Sequence, residues 1–140
     1  MNIQGVMSTS ISTRPLTEVE YTLARWMLEH GQPEARNYLG QLQKAEATAW
    51  KCPCGCASYN LRVRGMPEAP PGVGILGDFV FGDEDNLAGI FIFQSGGVLS
   101  GVEVYGLASE APNALPTPSL LRKFSESITA EDRARYRDDA

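Results

Sequence analysis

Near residue 47 the apolar side chains stop recurring at helical spacing and begin to alternate. A chain that makes this change once has to pack a helical part on a sheet part. On the helical side, Thr17 and Glu20 stand at capping-box spacing, where a hydroxyl and a carboxylate satisfy the free amide donors of a helix start. Val19, Leu23, Trp26 and Met27 follow at helical spacing, and Gly31 supplies a stop. Pro33 suits the first turn of a second helix that carries Tyr38, Leu39, Leu42 and Ala45 on one stripe. Only Gly31 and Gln32 separate the two patterns, which predicts a helical hairpin.

On the other side, Thr48, Trp50 and Cys52 alternate with small or polar residues, and Tyr59, Leu61 and Val63 alternate with Asn60, Arg62 and Arg64. This is the pattern of strands with one buried face. KCPCGC between them reads as a connecting turn, and GMPEAPPG as the next loop. Val73, Ile75, Phe79 and Phe81 predict a strand with these four on one face, and the nearly continuous apolar run LAGIFIFQ predicts a central strand covered on both sides. Ser95, Gly96 and Gly97 form a hairpin signal before VLSGVEVYGLA, where Leu99, Glu103 and Tyr105 oppose Val98, Val102 and Val104. The class expected is α+β, with an N-terminal helical hairpin packed on a four- to five-stranded antiparallel sheet. Polar residues 1–15 read as a flexible arm, 16–124 as the single domain and 125–140 as a charged tail. Within the domain, APNALPTPSLLRKF is expected to cross the surface in extended form, pinned by Leu115, Leu120, Leu121 and Phe124.

A chain of 140 residues, 43% of them hydrophobic, can build a core without disulfide or metal staples. No run approaches the ~20 apolar residues of a membrane span, and the first residues show neither a basic start nor an apolar stretch, so a cytoplasmic protein without a membrane partner is expected. The net charge of −5 argues against a nucleic-acid surface. That charge is uneven: residues 1–70 carry +1, residues 71–110 carry −6 and residues 111–140 carry 0. The middle segment holds Asp78, Asp83, Glu84, Asp85, Glu103 and Glu110 with no Lys or Arg. Its acids either solubilise a β-rich segment and guard its edges, or they present a negative surface to a basic protein. The second use makes Asp78, Asp83, Glu84, Asp85 and Glu103 partner-binding residues of a non-enzymatic binding module, an inhibitor or an immunity protein.

Catalytic chemistry finds little to work with. His30 is the only histidine, which leaves no room for a histidine-based triad, and its place at a helix end fits a capping role. Glu103 and Asp78 form an acid/base pair only if their strands bring them face to face. GVGILG matches a dinucleotide fingerprint by letter but follows prolines and precedes a strand, and Asp83, Asp85 and Asn86 read as turn formers rather than calcium ligands.

Cys52, Cys54 and Cys56 are the most unusual local feature. An odd set this tight permits at most one internal bridge, which fits a reducing compartment. As zinc ligands they lack a fourth partner, for which His30 or water is available. As a redox site they need a lowered thiol pKa, which Lys51, Arg62 or Arg64 would supply. As neither, they pack as small apolar side chains. No cofactor is expected on the leading reading, and zinc on the alternative.

In CPCGCASYNLRV, and in LSGVEVYGLA followed by LPTP, the chain resembles small bacterial proteins of unassigned function. They share a helical hairpin, a Cys-x-Cys-Gly-Cys turn and a closing Leu-Ser-x-x-Glu-Val-Tyr strand. The similarity spans about residues 17–124 and brings no catalytic residue with it. In size, acidity and α+β pattern the chain is also similar to immunity proteins that neutralise bacterial toxins, a likeness of class.

Overall fold

A computed structural model describes residues 12–108 and 110–124. All but the last four residues of the expected arm, and the whole charged tail at 125–140, lie outside them. In chain order the elements are β1 (Thr13–Pro15), α1 (Glu18–His30), a 3-10 helix (Pro33–Tyr38), the single-turn α2 (Leu39–Leu42), β2 (Ala45–Thr48), β3 (Tyr59–Val63), β4 (Gly74–Phe81), β5 (Ala88–Ser95), β6 (Val98–Gly106), a 3-10 turn (Pro118–Leu120) and β7 (Arg122–Lys123). The strands form one antiparallel sheet in the order β1-β2-β3-β6-β5-β4-β7. The α+β class holds, but the sheet has seven strands rather than four to five. The extra two are its edges, three and two residues long, too short to leave an alternation in the sequence. Pro15 fits such an edge, where no ladder needs its missing N–H.

The capping box forms as its spacing requires. The Glu20 N–H donates to Thr17 Oγ1 at 3.1 Å, and the Thr17 N–H donates to Glu20 Oε1 at 2.9 Å. The buried stripe of α1 is Glu20, Leu23, Ala24, Met27 and Leu28, while Val19 faces solvent, 57% exposed. Glu20 can occupy an inner position because Arg14 meets its two oxygens with parallel bonds of 2.8 Å each. The Arg14 bonds hold its carboxyl below the usual glutamate range against the opposing effect of burial. On the same stripe the Tyr59 hydroxyl donates to the Glu20 carbonyl at 3.2 Å, and burial pushes that hydroxyl well up, so it keeps its proton.

The second helix of the expected hairpin is mostly not an α-helix. Pro33 opens a 3-10 helix whose only buried residue is Ala35, and only Leu39–Leu42 complete a single α turn before Ala45 starts β2. Asn37 and Gly40 weaken α-helix here, and Gln32 is already spoken for, its N–H donating to the Leu76 carbonyl of β4 at 2.7 Å.

The two faces of the sheet differ. Toward α1 point the rows Phe79, Ile90, Val104 and Gly77, Ile92, Val102, Tyr59, in which all but the glycine are core side chains. Away from it points the row Asp78, Phe91, Glu103. Phe91 and Phe93 on that outer face are only half-buried, so β5 is fully covered on one side alone. A register shift between Ile75 and Gly77 divides β4. Phe79 and Phe81 keep the inner face, whereas Ile75 and the preceding Val73 stand exposed and Leu76 goes inside. The shift accommodates the end of α1, since a Cβ at Gly77 would lie 3.0 Å from the Met27 carbonyl oxygen. The hairpin signal forms at Gly96 and Gly97, whose φ of 61° and 84° are those of a type I′ turn. Of the residues expected to pin the late crossing, Leu121 is buried, Leu115 and Phe124 are half-buried and Leu120 is exposed at the turn before β7.

Candidate functional site

β2 ends at Thr48 and β3 begins at Tyr59, and the cysteines lie on the connection between them rather than in a continued strand. The Gly55 N–H donates to the Cys52 carbonyl at 3.0 Å, closing a turn with Pro53 at its second position, where a fixed φ is an advantage. Gly55 itself has φ +85°, a value that L side chains resist. The far end of the turn is fastened twice. The Ala57 N–H donates to the Pro112 carbonyl at 3.0 Å, and Ser58 Oγ accepts the Val104 N–H at 2.8 Å. Ser58 also donates weakly to the Val104 carbonyl, at 3.3 Å. The turn thus hangs from β6 by a serine hydroxyl.

This framework brings all three sulfurs within 4.8 Å of one another. Cys52 and Cys54 Sγ are 2.9 Å apart, the Cys56 N–H donates to Cys54 Sγ at 3.3 Å, and Cys56 Sγ lies 3.2 Å from Ser58 Oγ. Their acidities separate accordingly. The Cys54 thiol is pushed up to about 11, first by its contact with Cys52 and then by Cys56. Burial works to raise Cys56, but bonds from the Ser58 side chain and backbone, then from Cys54 and Cys52, outweigh it and bring the thiol down to about 7. Near neutral pH the cluster therefore offers one ready thiolate and further protons that a thiol-seeking ion can displace. Hydrogen bonds, not the cations considered in the sequence, produce the lowered value. Arg62 instead approaches Glu68, at 3.9 Å.

His30 does not join the sulfurs. Its Nδ1 donates to the Trp26 carbonyl at 2.8 Å and its ring stacks on Trp26 with centroids 4.1 Å apart, at the end of α1. The structure adds Ser58, whose only signal in the sequence is its position two residues after Cys56.

The carboxylates do not converge in the same way. Asp83 is a turn former: its Oδ1 accepts the N–H groups of Asp85 and Asn86 at 3.1 and 3.0 Å and the Asn86 amide at 3.2 Å. Glu84 and Asp85 stand exposed beside it at the tip of the β4–β5 hairpin. Arg122 donates to the Gly82 carbonyl at 3.0 Å, so a cation adjoins that tip. Asp78 and Glu103 share the outer face, but β5 runs between them with Phe91 in the intervening position. Two strand spacings put them about 10 Å apart, too far for a shared proton. Asp78 accepts the Tyr105 hydroxyl at 3.1 Å. Burial first, and then Asp78, raise that hydroxyl well above its ordinary value, so it remains a donor. Gly74 and Gly77 of GVGILG lie within β4, not at a helix start.

Among the described residues no helix is long and apolar enough to cross a membrane. Comparison with protein-family models, with curated proteins and with solved structures finds no match.

Proposed function

We propose that the chain binds a soft, thiol-seeking metal ion through Cys52, Cys54 and Cys56. The observation that carries this reading is the approach of three Sγ atoms to within 4.8 Å on a turn closed by its own backbone bond and tethered to β6. Soft thiolates favour zinc and monovalent copper. Zinc would take the three sulfurs and a water at its open fourth position, and copper(I) the three sulfurs alone. Each thiol loses its proton on binding, the Cys56 proton most readily, so uptake should weaken as pH falls, and more steeply below about 7 where Cys56 is protonated as well. Free thiols also support a cytoplasmic, reducing location.

The test is anaerobic titration of the fully reduced protein with zinc, and with copper(I), against a chromogenic chelator. One equivalent should be held by the wild type and lost in Cys54→Ser. Substoichiometric metal in both proteins sinks the reading. Cys54 is exposed outside the strands, so the variant should keep the circular dichroism of the wild type.

A second reading keeps the basic protein partner, engaged as by an inhibitor or immunity protein. One observation favours it: Asp83 locks the β4–β5 turn from within, leaving Glu84 and Asp85 exposed on a rigid tip. Capture from the native host with wild type and with Glu84→Lys/Asp85→Lys, each at low and high salt, tests it. Binding indifferent to both charge reversal and salt would discard it.

A further inference from the structure

Over the outer face of β3 and β6, Trp50 and the proline-rich segment 67–72 enclose a cleft of about 500 Å³. That lies in the range of small-molecule sites, roughly 300–1,000 Å³. Its lining residues include Arg62, Trp50, Phe93, Pro67, Pro70 and Pro71. The roof is fixed in advance. Ser95 Oγ donates to the Pro71 carbonyl at 3.2 Å, and Pro70 lies so close to the β5–β6 turn that a Cβ on Gly96 would meet its ring at 2.7 Å. Prolines further restrict the backbone there, so little ordering remains to be done on binding.

Arg62 is the cation that lines the cleft, and it is held only by a long ion pair with Glu68, with Glu46 opposite it on β2. Its side chain is about two-thirds covered, with a relative exposure of 35%. Its nearest carboxylate oxygen, on the mostly exposed Glu68, is 3.9 Å away, outside hydrogen-bonding range. Among the described residues the guanidinium makes no hydrogen bond. A guanidinium presents a flat fork matched to a carboxylate, and partial removal from water strengthens that pairing. Beside it the half-exposed Trp50 indole, the half-buried Phe93 ring and three prolines offer flat apolar walls to a planar ring.

We propose that this cleft binds a planar aromatic carboxylate, its carboxylate on the Arg62 fork and its ring among Trp50, Phe93 and the prolines. The ligand carries one negative charge, since a single arginine lines the cleft and the Glu68 carboxylate at its rim repels a dianion such as a phosphate ester. The site is separate from the cysteine turn and stands whether or not that turn holds metal.

Benzoate is the probe, with benzamide as its neutral counterpart and cyclohexanecarboxylate as its non-aromatic one. The readout is the indole N–H signal of Trp50 in nuclear magnetic resonance of the whole chain. Trp26 serves as the internal reference, packed against Phe79 and His30 on the far side of the sheet. Benzoate should shift Trp50 and leave Trp26 in place, binding at least tenfold tighter than benzamide or cyclohexanecarboxylate. Arg62→Gln should weaken benzoate at least tenfold. Arg62→Lys, which keeps the charge and loses the fork, should fall between them and covers the case of a misfolded Arg62→Gln. No Trp50 shift, equal binding of benzoate and benzamide, or unaltered binding in a folded Arg62 variant overturns the proposal. So does a Trp50 signal that moves with protein concentration and not with benzoate, because the occupant is then a second copy of the chain.

Discussion

Among the described residues Glu20 is one of two polar residues in the buried set, and it is tolerable there only because Arg14 and the Thr17 N–H occupy its oxygens. Its carboxyl is held below the ordinary glutamate value of about 4.3. A carboxylate lowered in the folded state stabilises above its unfolded pKa and loses that contribution as pH falls through the folded one. Glu20→Gln keeps the shape and removes the charge. In urea denaturation it should cost about 1 kcal/mol at pH 7, a modest figure because Arg14 is half exposed, and the gap to wild type should close as the pH drops below about 4. Cys56 is an acid lowered in the same direction, but its consequence is reactivity rather than stability. With its thiol at about 7 and that of Cys54 at about 11, alkylation mapped by mass spectrometry should reach Cys56 through the neutral range and Cys54 only in alkali. The thiol donates to Ser58 Oγ while it is protonated, and once Cys56 ionises the one Ser58 proton can turn from the Val104 carbonyl to the sulfur; Ser58→Ala removes that donor, so the reaction of Cys56 should move to higher pH. The same change should weaken metal binding about 10–100-fold, as expected for a partner that orients a ligand. The three cysteines were legible in the sequence as a cluster. The Cys52 to Gly55 turn that gathers them is local and was legible as a turn in KCPCGC, but the Ser58 tether to Val104 joins positions more than 40 residues apart in the chain, and no local spacing records it.

Among the elements, legibility followed length and the evenness of the ladder. The strand β3, with one face buried, alternates as its sequence does. In β6 the alternation holds only from Gly101 on: a register shift opposite Phe93 and Gln94 turns Leu99 into the core rather than onto the face of Glu103 and Tyr105, and leaves Val98 beside the outer cleft. The edge strands β1 and β7 are too short for any period to emerge. In β4 a one-residue register shift sends Ile75 outward although its sequence spacing matches that of Phe79 and Phe81. The helical hairpin failed at its second member because Ala45 fits a helical stripe and a strand equally well, and the pairing of Ala45 with Val63 decided for the strand. Two glycines separate tolerance from constraint in this region. A Cβ on Gly31 would lie 2.3 Å from the Leu76 carbonyl oxygen and 2.9 Å from that of Met27, both backbone atoms that cannot swing aside. Gly31→Ala should therefore cost about 1–3 kcal/mol by forcing α1 off β4. Gly40, inside the single turn of α2, has nothing within 4 Å of its Cβ position. Gly40→Ala should stabilise by up to about 1 kcal/mol. Thermal unfolding of the two variants under one buffer checks both signs at once.

At the scale of the whole molecule the sheet is covered unequally, and that inequality is measurable. Its inner face meets α1 through Leu23, Met27 and Leu28, and Ile90 and Ile92 there are fully buried. The outer face is left to Phe91, Phe93 and Tyr105, whose rings lie 5.7 and 5.9 Å from Phe91, together with the segment over the cleft. Tyr105 lies across Gly89, where a Cβ would come within 2.6 Å of three of its atoms, so even a bare backbone position is used to seat a ring. Ile92→Ala removes packing on the closed side and should cost about 2–5 kcal/mol. A fully buried phenylalanine would cost about 3–5 kcal/mol on truncation, but Phe91 already meets water across part of its ring, so Phe91→Ala should cost about half that. Denaturant midpoints at unchanged m-value give both numbers. If instead Phe91→Ala costs as much as a closed core site, the outer face is covered in solution by something these residues alone do not supply. Sedimentation across a concentration series then identifies a second copy of the chain as that cover, or excludes it. The two faces thus make different demands on one sheet: the inner face holds the fold, and the outer face keeps half-buried rings and the partly covered Arg62 in contact with water.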